Sequence, residues 1–387
     1  MQISTHIQSL SASQSLAMAA RCRELREQGV DIISMSLGEP DMDTPERVRR
    51  AAQDAVDNHW SHYGPIAGIP SLRAAVAAYQ NETTDNAITW QAEDVIVSVG
   101  AKMAIYDAIQ TVLNPGDEVV IPMPSWVSYS EMVKLANGTV VPVQTRMEEQ
   151  YCITPDQLRA ALTPRTRLLI LCSPNNPTGS VYSPAQLDAL VAVLRDFPEV
   201  IILSDEIYNK LVYSAPARSM AYYAELADRL IIINGVSKAY AMTGYRVGWL
   251  LCKNQAFVSA CTRLQGQQLT CATMVAQRAA EAALTGSQDC VEEMRQVFAE
   301  RRKLICRLAR EVRGFRFDEP QGAFYLFPDV SAIGKADEVV EYLLNEAHVA
   351  TVSGSAFGCP SCIRLSYAIS TEEITEAMRR IKNALNR

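Results

Sequence analysis

The stretch "LIIINGVSKAYAMTGYRVGWLLC" (230–252) sets two short apolar runs around a polar middle holding one lysine, Lys238, and one arginine, Arg246. The apolar runs, "LIIING" (230–235) and "YRVGWLLC" (245–252), read as strands. Five more runs of the same kind precede them: "DVIVSVG" (94–100), "DEVVIPMP" (117–124), "TVVPV" (139–143), "RLLILCSP" (167–174) and "VIILSDEIY" (200–208). Continuous β-branched runs, rather than alternating ones, belong to strands covered on both faces. Between them "AKMAIYDAIQTVL" and "AQLDALVAVLRDF" carry the helical period. The expected core is therefore an open α/β sheet, seven-stranded and mostly parallel, between layers of helices.

After about residue 286 the pattern changes to a long charged helix, "CVEEMRQVFAERRKLICRLAREV" (290–312), short strands at "AFYLF" (323–327) and "CIRLSYA" (362–368), and a last helix. A chain of 387 residues has a prior of two domains. The expected division is a large domain over 46–285 and a smaller α+β domain built from both ends, 1–45 and 286–387.

Composition removes several classes of function. Thirty-six basic and 43 acidic residues leave a net charge of −7, which argues against nucleic acid or an anionic membrane as partner. "RVRR" (47–50) and "ERRK" (300–303) read as solvated helix faces. No apolar run reaches a membrane-spanning length, and the N-terminus lacks a signal-peptide pattern, so a cytoplasmic protein is expected. The four histidines fall in no hydrolase or zinc motif. Ten scattered cysteines are expected to be free. "CPSC" (359–362) has no second CxxC and no neighbouring histidine, so two small semi-buried residues are expected there rather than a redox pair or half a zinc site.

In open parallel sheets, ligands sit beyond the carboxyl ends of the strands. Asp205 ends one run, with Tyr208 three positions on, and a carboxylate there needs a cation or serves only as a helix cap. "SPNNPTG" (173–179) ends another, as a turn or as a holder of an oxygen-rich ligand. "SVGAK" (98–102) puts a glycine and free N–H groups at a helix start, an anion site without a dinucleotide or P-loop fingerprint. A free lysine is disfavoured as a nucleophile at pH 7 by about 4–5 kcal/mol unless it is desolvated or held as an imine. A lysine for an imine, an arginine and helix end for a phosphate, and an aspartate for a pyridinium nitrogen fit pyridoxal 5'-phosphate.

On these residues, with "SLGEPDMDTP" (36–45), "HYGPIAGIPSLR" (62–73), "SWVSY" (125–129) and "IRLSYA" (363–368), the chain resembles the class I aminotransferases of the aspartate aminotransferase family, fold type I. The resemblance implies that Lys238 forms the imine and shuttles the proton, and that Asp205 keeps the pyridine nitrogen protonated. Tyr208 and Asn176 would bond the ring oxygen, and Trp126 would stack on the ring. Arg246, with the backbone of Gly100, Ala101 and Lys102, would hold the phosphate, and Tyr63 would reach the phosphate of a second subunit in a homodimer. Arg364 would bind the substrate α-carboxylate, with the backbone of Gly38 on the same group. Both chain ends would close over the substrate.

The implied reaction moves an amino group between an amino acid and a 2-oxo acid. Lys102 matches a lysine that reads the distal carboxylate in one bacterial branch, which implies aspartate, glutamate and their 2-oxo acids. Prephenate users in that branch carry a further lysine where this chain has "LSAS" with Ser11. Gly235 replaces a frequent serine and implies one phosphate contact fewer. Arg263 lies near a region where other branches place a substrate-reading arginine. An aromatic or broad-specificity aminotransferase, or a β-lyase, would share Lys238, Asp205 and Arg364. A cofactor-binding regulator would carry an added DNA-binding segment, and only about 35 residues precede "SLGEPD", none forming a basic segment.

Overall fold

In the computed structural model, which describes residues 1–82, 87–213 and 217–386, all seven expected runs of the large sheet are strands. In spatial order they are Val95–Ser98, Gly248–Leu251, Leu230–Gly235, Ile201–Asp205, Thr166–Cys172, Glu118–Met123 and Thr139–Gln144. Five pair in parallel, while Gly248–Leu251 runs antiparallel to both of its neighbours, Val95–Ser98 and Leu230–Gly235. The α/β reading with a mostly parallel sheet therefore holds.

The central strands are buried on both faces because their residues are apolar on both. Leu169, Ile202, Ile232 and Trp249 pack on one side with Leu190, Val191 and Ala279. Ile170, Leu203, Ile233 and Leu250 pack on the other with Ala104, Ile105 and Tyr129. Helices follow the strands as the sequence period required, at Gly100–Val112 and Pro184–Leu194. The second begins with a capping box in which Ser183 and Gln186 satisfy each other's free N–H groups, with Pro184 in the first turn.

"YRVGWLLC" is shorter as a strand than its apolar pattern suggested. Thr243–Tyr245 forms a 3-10 turn and Arg246 takes a left-handed φ of 56°, so regular pairing starts only at Gly248. No helix follows Asp205 directly, which removes the reading of that carboxylate as a helix cap. Among the described residues no helix is long and apolar enough to cross a membrane.

Segments from both chain ends share another apolar cluster. Ile33 and Met35 pack there with Phe298 and Ile305 of helix Asp289–Ala309 and with Ile374 and Ile381 of helix Thr371–Leu385. Strand Ile33–Ser34 pairs with Val349–Ala350, and Ile363–Ser366 lies between Val352–Ser353 and Tyr325–Leu326. Ile207, Tyr208 and Leu211, just past the end of a central strand of the large sheet, belong to this cluster too. The carboxyl end of the sheet is thus where the two bodies of apolar packing meet.

Candidate active site

Four strand ends deliver the expected residues to one place. Lys238 sits in the single turn of helix that follows Leu230–Gly235, and its Nζ donates to the carbonyl of Gly38 at 2.6 Å. Solvent reaches part of the side chain, yet the ammonium lies deep enough that desolvation brings its pKa down from 10.5 to about 8. The positive charges of Arg246 and Arg364 push the same way, against Glu39 and Asp205. A buried lysine loses its preference for the charged form because water no longer solvates the ammonium. Lys238 is therefore no ordinary surface charge.

Asp205, 3% exposed, accepts from the Tyr129 hydroxyl at 2.6 Å and from the Ile207 N–H at 3.2 Å. Burial raises its pKa to about 6, against those two hydrogen bonds and the Lys238 charge. A cation placed against this carboxylate would remove the penalty of burying it. Trp126 packs edge-on against Tyr129, ring centres 5.4 Å apart at 89°. The Lys102 ammonium lies 4.8 Å from the centre of the Trp126 ring.

At the neighbouring strand end, helix Gly100–Val112 starts without any side-chain cap. The Arg246 guanidinium lies over that start: a Cβ on Gly100 would come 2.5 Å from Arg246 Nη2, and Gly100 has a φ of +77°. Arg246 also donates to the Thr243 carbonyl at 2.8 Å. Uncapped N–H groups beneath a guanidinium form a ready anion site. Gly248 closes the floor, since a Cβ there would collide with the backbone of Ala101 and Gly100.

Arg364 is 2% exposed, and all its partners are neutral. It donates to Asn176 Oδ1 at 2.8 Å, to the Ser36 carbonyl at 2.6 Å and to Ser15 Oγ at 3.2 Å, while its buried Nε has no partner. Its guanidinium is sandwiched by the rings of Tyr325 and Phe357, at 4.6 and 4.9 Å. A buried guanidinium with a spare donor and no carboxylate is incomplete until an anion arrives.

Several participants were not singled out from the sequence. Tyr325 bonds the Tyr208 hydroxyl at 2.8 Å, and its own hydroxyl occupies the space a Cβ on Gly38 would need. Tyr129 holds Asp205, Glu39 faces Lys238, and Ser15 steadies Arg364. The "AFYLF" and "SWVSY" strings contain the two tyrosines, but nothing in their patterns separates a site hydroxyl from a core ring.

Tyr63, expected to reach a second subunit, and Arg263, which had no firm assignment, both stay apart from this group. Tyr63 is 90% exposed. Arg263 is exposed on helix Gln255–Gln268 and bonds Ser259 of its own helix at 3.2 Å. Gly235 has an extended backbone, and a Cβ there would press on Gly248 and Val247, so close packing of two strands is reason enough for glycine.

The lysine, the cation-seeking carboxylate, the guanidinium over an uncapped helix and the unpaired Arg364 together fit pyridoxal 5'-phosphate and a carboxylate substrate. Comparison with known proteins agrees. The family model for aminotransferase class I and II matches residues 30–381. An aspartate aminotransferase of Bacillus sp. (strain YM-2) is 40% identical, covering 98% of each chain. An aspartate/prephenate aminotransferase of Nitrosomonas europaea is 38% identical over the whole of both. The solved structure of the aspartate aminotransferase from Thermus thermophilus with maleate superposes over the full length of both chains, with a TM-score of 0.94 and 38% identity. The chain belongs to the class I and II aminotransferases, as a pyridoxal 5'-phosphate enzyme of the aspartate aminotransferase family.

Proposed function

We propose that this enzyme transfers the amino group of aspartate or glutamate to 2-oxoglutarate or oxaloacetate, and that the residues gathered above carry the reaction. The observation that supports the reading most directly is Arg364, whose buried Nε and neutral partners leave it one carboxylate short. When bound, pyridoxal 5'-phosphate supplies the carbonyl carbon that accepts the amino nitrogen and the ring that draws the Cα electron pair.

The chain's own groups do the rest. The uncapped N–H groups of Gly100, Ala101 and Lys102 and the Arg246 guanidinium would hold the phosphate. Asp205 would hold a proton on the ring nitrogen, steadied by Tyr129, and Tyr208 and Asn176 would bond the ring oxygen. Asn176 already bonds Arg364, so it ties the cofactor side of the site to the substrate side. Trp126 would cover the ring.

Arg364 orients the amino acid by its α-carboxylate, with the Gly38 segment beside it. Lys238, with its pKa near 8, is partly neutral at physiological pH and takes the proton from the substrate Cα.

The preference for a dicarboxylate rests on Lys102. Its ammonium sits over Trp126, desolvation and then the nearby Arg246 charge lower its pKa, and no ion pair among the described residues includes it. Two uncompensated cations, Lys102 and Arg364, match the two ends of a dicarboxylate, as maleate is in the Thermus thermophilus structure. The exposed Tyr63 suits a phosphate contact across a homodimer, and the terminal segments 1–45 and 286–387 suit a small domain that closes on the large one, 46–285.

A screen of amino donors against 2-oxoglutarate, oxaloacetate and prephenate tests the substrate assignment. Aspartate and glutamate should lead among donors, and a preference for aromatic or aliphatic donors overturns it. Sedimentation of the holoenzyme at twice the chain mass checks the dimer.

A further inference from the structure

The turn "GSAFGCPSC" (354–362) holds two thiols face to face. Cys359 Sγ and Cys362 Sγ are 3.4 Å apart and hydrogen-bonded to one another. Three backbone hydrogen bonds fix the turn: Gly354 N–H to the Cys362 carbonyl at 2.7 Å, Cys359 N–H to the Gly354 carbonyl at 2.9 Å, and Cys362 N–H to the Cys359 carbonyl at 3.2 Å. The two residues differ in access: Cys359 is half-buried beside exposed Pro360, and Cys362 is 1% exposed. Semi-burial was expected of this pair, but the juxtaposition of the sulfurs was not. Among the described residues no other two cysteine sulfurs are hydrogen-bonded, and no group of three metal-ligating side chains forms.

We propose that Cys359 and Cys362 are a dithiol–disulfide site that reacts with low-molecular-weight disulfides, Cys359 attacking and Cys362 resolving. The Cys359 thiolate attacks one sulfur of RSSR, forming Cys359–S–S–R and expelling RS⁻, which takes up the proton that Cys359 lost. Cys362 then gives up its proton and attacks the Cys359 sulfur, expelling the second RS⁻, which is protonated in turn. Two cysteine thiols are oxidised to one disulfide, and RSSR is reduced to two RSH.

The surroundings divide these roles. The hydrogen bond shared with Cys362 holds the Cys359 thiol down to about 7, with Ser361 assisting and burial and the nearby Asp329 carboxylate opposing. Cys362 is pushed up by that same bond and by burial, and its sulfur faces the Tyr151 hydroxyl at 3.6 Å. A low-pKa, accessible thiol beside a buried partner is the arrangement such exchange needs.

The site is mechanically joined to substrate binding. The turn carries Phe357, whose ring lies on Arg364, and Arg364 stands two residues beyond Cys362 in the strand Ile363–Ser366 that follows the turn. The Phe357 carbonyl also accepts from Ser125 N–H at 3.0 Å, next to Trp126. Drawing the sulfurs into a bond shifts this turn, so oxidation should change KM for the amino donor severalfold while kcat moves less. This consequence rests on the assignment of Arg364 to the substrate carboxylate, whereas the thiol chemistry does not.

Holoenzyme is incubated with oxidised glutathione, remaining thiols are alkylated, and intact and peptide masses are read. The wild type should lose the mass of two hydrogens and yield one peptide with both cysteines protected. Cys362→Ser should keep a glutathione adduct on Cys359, and Cys359→Ala, a change at a half-buried position, should show neither adduct nor disulfide on the peptide that carries Cys362. A lasting adduct on wild-type Cys359, or full alkylation of both thiols, overturns the proposal. An oxidised enzyme with unchanged KM overturns the coupling to Arg364 alone.

Discussion

The hydroxyls of Tyr208 and Tyr325 lie 2.8 Å apart, and the Tyr325 ring lies 4.6 Å from the guanidinium carbon of Arg364. Tyr325 therefore touches both the residue assigned to the cofactor ring and the residue assigned to the substrate carboxylate. Tyr325→Phe keeps the ring under Arg364 and deletes only the hydroxyl. It should lower kcat/KM by about fivefold, the effect of one lost hydrogen bond of about 1 kcal/mol. Because the two hydroxyls share one bond, Tyr208→Phe and Tyr325→Phe should not add; a coupling of about 0.5–3 kcal/mol is expected from kcat/KM of the four proteins. Strict additivity would show that Tyr325 acts on the site only through packing.

Asp205 gives a pH-dependent prediction with a defined sign. Its carboxyl is raised from 3.8 to about 6, so between those values the folded, cofactor-free protein holds a proton that the unfolded chain has released. Stability from this group thus falls as pH rises through that window. Above it the penalty is roughly 3 kcal/mol, from about two pKa units at 1.36 kcal/mol each. Asp205→Asn removes the charge but forfeits a hydrogen bond worth about 1 kcal/mol, leaving a net gain of about 2 kcal/mol at pH 8. Thermal unfolding of the cofactor-free proteins should show the variant ahead at pH 8 and the advantage gone at pH 4. With cofactor bound the order should reverse, because the carboxylate then has its cation. Glu206, raised to about 7 by burial, titrates in both proteins and cancels.

The fold was legible because its signal is repetitive: seven apolar runs, each short and followed by a turn or helix, admit few arrangements other than a covered sheet. The antiparallel direction of Gly248–Leu251 was not, since direction depends on a left-handed Arg246 and a 3-10 turn that no periodicity marks. In the site, position beyond a strand end singled out Lys238, Asp205 and Asn176 as candidates, and the resemblance supplied the roles implied for them. Tyr325, Tyr129 and Ser15 could not, because their importance lies in contacts between segments 76 to 349 positions apart. The thiol pair in "CPSC" escaped for a similar reason: spacing allows the sulfurs to meet or diverge, and only the bonds from Gly354 decide.

The role proposed for Lys102 is to separate dicarboxylate from monocarboxylate substrates. Replacing it by alanine removes a cation 4.8 Å from the Trp126 ring and leaves Arg364 untouched. Lys102→Ala should reduce kcat/KM for aspartate by about 10- to 100-fold, the worth of one charge-assisted hydrogen bond of about 1.5–3 kcal/mol. Alanine or an aromatic donor should change little. Equal losses across all donors would assign Lys102 to the cofactor phosphate, and no loss for aspartate would remove it from substrate recognition.

Gly100 tests the anion site without altering a charge. At a φ of +77° a Cβ is strained by about 1–2 kcal/mol, and here it would also meet Arg246 Nη2 at 2.5 Å. Gly100→Ala must therefore displace the guanidinium from the helix start as well as strain the backbone. Gly116 supplies the control: its φ of +89° carries the same strain, but nothing lies within 4 Å of its Cβ position. Gly116→Ala should lower the unfolding midpoint and leave cofactor affinity alone. Gly100→Ala should raise the cofactor dissociation constant by about 10- to 100-fold, read by visible absorbance on titration, with kcat near wild type once cofactor saturates. Equal affinities in the two variants would mean that Arg246 and the helix start do not act together on the phosphate.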